Sequence, residues 1–119
     1  MIKGFNKQTQ RLTKYEIDTI MPIIVNSLQR SFGKRAAIKN GEIANILIRN
    51  GYNIAAPRIR KIINHIRLNA IIPNLVASAN GYYIANTLEE AEDYIESLRN
   101  REEAIKAVRL AMEEQLYAV

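Results

Sequence analysis

Residues 58–85 read RIRKIINHIRLNAIIPNLVASANGYYIA, and the change of hydrophobic period within them decides the fold. Ile59, Ile62, Ile63, Ile66 and Ala70 recur at intervals of 3, 1, 3 and 4, the spacing of one buried helical face, and Pro57 suits the first position of that helix. Pro73 closes it. Leu75 to Ser78 and Tyr82 to Ala85 then flank Asn80-Gly81, the dipeptide most favoured in two-residue hairpin turns, so a pair of short antiparallel strands is expected. Tyr82 and Tyr83 fall on opposite faces of the second strand, one inward and one outward, and the pattern does not say which.

Upstream of this stretch, Ile43, Ile46 and Leu47 share the face of a shorter helix, with Asn40 as its expected N-cap and Gly51 as its stop. Arg35 to Ile38 is a short apolar piece. Before it, Thr13-Lys14-Tyr15-Glu16 has the form of a capping box, and Ile17, Ile20, Met21, Ile24, Val25, Leu28 and Phe32 follow at helical spacing, predicting a first helix that ends at Gly33. Pro22 is discordant: it either kinks this helix or moves the regular part downstream, with Asp18 or Thr19 as the cap. Residues 1–12 have no apolar period and read as a basic arm with Lys3, Lys7 and Arg11. Downstream, Thr87-Leu88-Glu89-Glu90 is a second capping box with no Gly or Pro after it, which predicts one long helix of about 45 Å. The expected organisation is an arm (1–12), a domain (13–86) and an acidic C-terminal helix (87–119).

A chain of 119 residues with 48% apolar residues suffices for one core and not for two. It has no cysteine, which removes disulfides, thiolate metal sites and a thiol nucleophile. No apolar run approaches the ~18 residues of a membrane span, and the N-terminus has no apolar segment of the secretory kind, so a cytoplasmic location is expected. Residues 1–86 hold 13 Lys/Arg against three acids, a net of +10; residues 87–119 hold four against nine, a net of −5. A basic body joined to an acidic helix points to a polyanionic partner for the body.

The order of helix, short strand, helix, tight turn, helix and β-hairpin over residues 13–85 resembles the winged helix-turn-helix fold. Its most specific pieces are the helix-turn-helix at 40–69 and the wing LVASANGYYIA. The string at 58–85, with EEAEDYIESLRNR downstream, is similar to small prophage-encoded winged-helix proteins of bacteria. The resemblance implies a mainly α fold with a small β-hairpin (α+β), a winged helix-turn-helix followed by a long C-terminal helix. It also implies double-stranded DNA as partner, in a transcriptional regulator or replication accessory protein of a phage or mobile element. Winged helices also serve as protein-interaction adaptors, which is the alternative.

The third helix has the side chains for such a partner. On a helical wheel Pro57, Lys61, Asn64 and Leu68 lie opposite the isoleucines, Arg58 and His65 on one flank, Arg60 and Arg67 on the other, and no acid occurs between Ala55 and Asn86. Arginine and lysine suit guanine O6 and N7, asparagine pairs with adenine, and the remaining cations suit phosphates; an ordinary solvated face would carry mixed signs. Leu68 is expected either on a thymine methyl or packed against Tyr82 or Tyr83 of the hairpin. The wing tip has no cation, which leaves Ser78 and Asn80 for phosphate contacts and Lys3, Lys7 and Arg11 of the arm as a further contact. His65, the chain's one histidine, has no partner at metal-ligand spacing, and no phosphate loop, nucleophile elbow or convergent acid–base set is present, so neither catalysis nor a metal or cofactor is expected.

In the C-terminal helix Leu88, Ala91, Ile95, Leu98, Glu102, Ile105, Arg109, Met112 and Leu116 keep a 3-4 spacing through four heptads. With Val108 beside the seam, Ile95, Leu98, Ile105, Val108, Met112 and Leu116 are the expected homodimer contacts. The alternative is a helix folded back on its own domain.

Overall fold

The computed structural model describes residues 10–118, and it is mostly helical with one small antiparallel hairpin, the α+β class expected from the sequence. Its elements are a π-helical turn (Glu16–Ile20) running into α1 (Met21–Leu28), α2 (Asn40–Arg49), α3 (Ala56–Leu68), β1 (Leu75–Ser78), β2 (Gly81–Ile84) and α4 (Leu88–Tyr117). Residues up to Asn86 form one compact unit and those from Thr87 a second.

The first helix begins where its capping box places it. Thr13 N–H donates to Glu16 Oε1 at 2.8 Å and Glu16 N–H donates to Thr13 Oγ1 at 3.1 Å. Pro22 moves the regular α-helical part downstream, to Met21, as one of its two readings expected, although neither Asp18 nor Thr19 is the cap. Its ring would strike the carbonyl of Asp18 in a regular α-helix, and the turn just ahead is widened instead, with Met21 N–H donating to Glu16 O one residue further back. The helix stops at Leu28, short of the expected Gly33, so Phe32 lies past its end and is 54% exposed.

Asn40 is the first residue inside α2 and not its cap; Glu42 takes the N–H of Lys39 instead, at 3.4 Å. The Asn40 side chain has a different task. Its Oδ1 accepts the Tyr82 hydroxyl at 2.9 Å and its amide reaches Ala56 O at 3.5 Å, tying together the starts of two helices and β2. Gly51, at φ +89°, ends α2 as expected: Tyr52 N–H donates to Leu47 O and Gly51 N–H to Ile48 O, the paired bonds of a left-handed cap. The end of α3 repeats this arrangement with Ala70 in the left-handed position, at φ +51°, so Ala70 lies outside the helix and is exposed.

Ile59, Ile62, Ile63 and Ile66 of α3 are buried against Ile20, Ile24 and Leu28 of the first helix and Ile43 and Leu47 of α2. The hairpin closes this three-helix core through Leu75, Tyr82 and Ile84. Tyr82 is the inward tyrosine. The outer edge of β2 is covered by the chain between the first two helices: Ile38 exchanges both backbone hydrogen bonds with Tyr82, and Ile84 bonds Ser31 and Gly33. The short strand expected at 35–38 is thus a single bridge at Ile38, following a 3-10 turn over Lys34–Ala36.

The hairpin turn also differs from its expected form. Ser78 pairs with Gly81, so Ala79-Asn80 is the connection and neither has the positive φ of a mirror-image turn. Ser78 Oγ holds it, accepting from Asn80 N–H at 3.2 Å and donating to Gly81 O at 3.2 Å.

Candidate nucleic-acid interface

With the isoleucines of α3 turned to the core, its other side presents the residues singled out in the sequence. Arg60 and Asn64 are exposed, and Lys61, His65 and Arg67 are half-buried. Arg60 and Arg67 lie on the side of the hairpin, near enough to Tyr82 for their positive charge to oppose the upward push that burial gives its phenol pKa. Lys61, Asn64 and Leu68, at the centre of the face, and His65, on the flank away from the hairpin, line a different feature. There they join Arg11, Leu12 and Ile17 around an open groove of about 300 Å³. Arg11 is the one residue of the expected arm contacts that this groove includes; Lys3 and Lys7 lie outside the described residues. Ser78 and Asn80 are at the exposed hairpin tip, where the Ser78 hydroxyl is already engaged in the turn.

Arg58 leaves the candidate set. Its Nε donates to Glu16 Oε2 at 2.8 Å and its Nη2 to Glu16 Oε1 at 2.5 Å, and it also donates to the carbonyls of Gln10 and Arg11 at 2.8 and 3.0 Å. Only 13% of the arginine side chain and 8% of the glutamate are exposed. The guanidinium holds the Glu16 carboxyl below the usual carboxylate range, outweighing the effect of burial, and Glu16 in turn raises the pKa of Arg58. A guanidinium whose fork is filled by a carboxylate and two carbonyls is a brace between α3, the first helix and the chain ahead of it. The pairing also removes Glu16 as an uncompensated negative charge beside a basic surface.

Leu68 does not pack on the hairpin tyrosines: it is 78% exposed. Three contributors to this face were missed in the sequence. Leu12 and Ile17 form apolar parts of the groove, and Asn69, one helical turn beyond His65, donates its side-chain amide to His65 O at 2.9 Å and approaches His65 Nδ1 at 3.3 Å. The i, i+4 spacing of His65 and Asn69 was the available signal for that pair. Leu12 gave none, being placed within an aperiodic arm.

Thr87 Oγ1 accepts Glu90 N–H at 3.1 Å, and no residue from Leu88 to Tyr117 is buried. Arg109 donates to Glu113 at 2.8 Å and Arg99 to Glu96 at 2.6 Å, exposed pairs of the kind that add little to stability. Leu98, Arg101, Glu102 and Ile105 surround a surface depression of about 350 Å³.

No protein-family model matches the sequence, and no curated protein or solved structure is significantly similar to it. Among the described residues no helix is long and apolar enough to cross a membrane, and no three His, Asp or Glu side chains gather as a metal site would require.

Proposed function

We propose that this chain is a non-enzymatic, double-stranded DNA-binding protein of winged helix-turn-helix type, reading the major groove with α3 and pairing through α4. In that reading it is a transcriptional regulator or replication accessory protein of a phage or mobile element, acting in the cytoplasm. The observation that carries the proposal is the outward side of α3. Arg60, Lys61, Asn64, His65 and Arg67 share it, no acid lies between Ala55 and Asn86, and Glu16 is neutralised by Arg58. An α-helix, about 10–12 Å across with its side chains, fits the width of a major groove, and this mixture of cations with one amide suits both phosphates and base edges.

Pairing through α4 is supported by the form of its depression. Leu98, Arg101, Glu102 and Ile105 stand at positions i, i+3, i+4 and i+7, the four corners of a hole that receives a knob from a facing helix. Glu102 and Arg109 interrupt the apolar seam with opposite charges, which suits an antiparallel pair better than a parallel one.

The test is selection of duplexes from a random pool followed by a salt series. About five phosphate contacts would weaken binding roughly 500-fold between 50 and 200 mM salt. A folded Arg60→Ala, Lys61→Ala, Asn64→Ala triple variant that binds as well as the parent would overturn the assignment of α3. Failure to bind any duplex would favour the adaptor reading.

A further inference from the structure

Resting on that DNA-binding reading, we propose that the groove between α3 and the chain ahead of the first helix is a thymine-reading site, and that Leu68 is the residue that recognises the methyl group. Leu68 is an apolar side chain, 78% exposed, on a surface that is otherwise cationic or polar. It does not stand alone there. Leu12 and Ile17 line the same groove, so the exposed leucine extends an apolar wall that the protein already builds. Lys61, Asn64 and His65 of α3 line the same groove, and no acid does.

The pattern of groups matches one base edge. In the major groove thymine presents an acceptor, O4, next to its C5-methyl group; cytosine has an amino donor where thymine has O4, and neither purine has a methyl. The groove has donors beside an apolar wall. Lys61 supplies an ammonium and Asn64 a side-chain amide, and both are donors that O4 can accept from. Asn64 and Leu68 are one helical turn apart, about 6 Å along α3, so an adenine paired with Asn64 and a thymine against Leu68 would lie within two base-pair steps. The cationic rim attracts the phosphates that bring the base edge into place.

The experiment uses the full chain and its selected duplex. Each thymine is replaced in turn by deoxyuridine, which keeps O4 and lacks the methyl. Affinity is expected to fall about three- to tenfold at one position per site, the scale of one buried methyl, and to stay level at the others. Leu68→Ala should bind the thymine duplex more weakly by a similar factor and bind the two duplexes equally; Leu68→Met, which keeps an apolar side chain, should retain the preference. Leu68 is exposed, so these variants leave the core intact. Equal binding of thymine and deoxyuridine at every position, by a chain that still selects duplexes and responds to salt, overturns the inference and leaves the DNA-binding reading standing. A chain that binds no duplex overturns both.

Discussion

Glu16 illustrates how one side chain can govern a surface it does not form. Its carboxylate closes the capping box at Thr13 and fills the fork of Arg58, 42 residues away, while 6% of the residue is exposed. Because the folded pKa lies below the ordinary value of 4.5, the contribution of this pair is full above that pH and is lost as pH falls through the lowered value. Glu16→Ala should cost about 3 kcal/mol at pH 7, the penalty for leaving a largely buried guanidinium without its partner. Urea denaturation at pH 7 and pH 3 should find the gap between parent and variant much smaller at the lower pH, and a gap independent of pH would contradict the linkage. Arg58 was legible as a cation on the third helix and not as a brace, because helical period assigns a side chain to a flank without saying what a distant element brings there. Gly81 is a second such residue. A Cβ there would stand 2.7 Å from the carbonyl carbon and oxygen of Ile38, backbone atoms held by the bridge to Tyr82, and its φ is +115°. Gly51 has a similar φ of +89° but open space around it. Gly81→Ala should therefore cost well over 2 kcal/mol and Gly51→Ala about 1 kcal/mol, measured by thermal or chemical unfolding; equal losses would mean that φ alone sets the penalty at both.

At the scale of elements, the first three helices and the hairpin were readable because burial on one face imposes a period, and α3 is the clearest case: the four isoleucines within it are all buried. The element ends were less readable. A left-handed cap built on Ala70 and a positive φ at Asn74 have no glycine to announce them, and the Asn80-Gly81 pair signals a mirror-image turn that the chain does not make. Glycine is required at 81 by the chain crossing at Ile38, a constraint from outside the hairpin. The candidate site divides in the same way. The outward positions of α3 follow from where its core face lies, whereas the groove beside Asn64 depends on Leu12 and Ile17, which no local pattern connects to α3. The two sides of α3 should behave differently when altered. Asn64, exposed at the centre of the face, is suited to a base, and Asn64→Ala should relax preference at one base pair by about 1–3 kcal/mol while leaving non-specific affinity nearly unchanged. Arg67, on the hairpin flank, is suited to a phosphate, and Arg67→Ala should weaken all duplexes alike and lower the salt slope by about one. Titration of a matched and a single-mismatch duplex against each variant separates the two, and a uniform loss from Asn64→Ala would remove it from base recognition.

For the whole molecule, the proposed assembly turns on α4, whose 30 residues span about 45 Å, against a width of about 30 Å for the compact unit that ends at Asn86. Ile105, Val108, Met112 and Leu116 lie in its C-terminal half, and nothing within the helix itself can cover them. Left in water they would form a contiguous apolar strip, the kind of surface that marks an interaction site, and the 3-4 spacing continues through them. A second copy of the same helix supplies a matching strip and a matching hole at Leu98 and Ile105, without requiring any other partner. In the proposed pair the net charge of −5 on residues 87–119 would repel DNA, and two copies of α3 per dimer would favour targets with two related half-sites about 10 base pairs apart or a multiple of that. Truncation after Arg101 removes those four apolar side chains and should leave a monomer that binds one half-site weakly. Sedimentation of the full chain and the truncated chain across micromolar concentrations checks this directly. A full-length chain that remains monomeric at high micromolar concentration would refute the pair and return the strip to a contact within one copy, in which case duplex affinity should be insensitive to the spacing of half-sites.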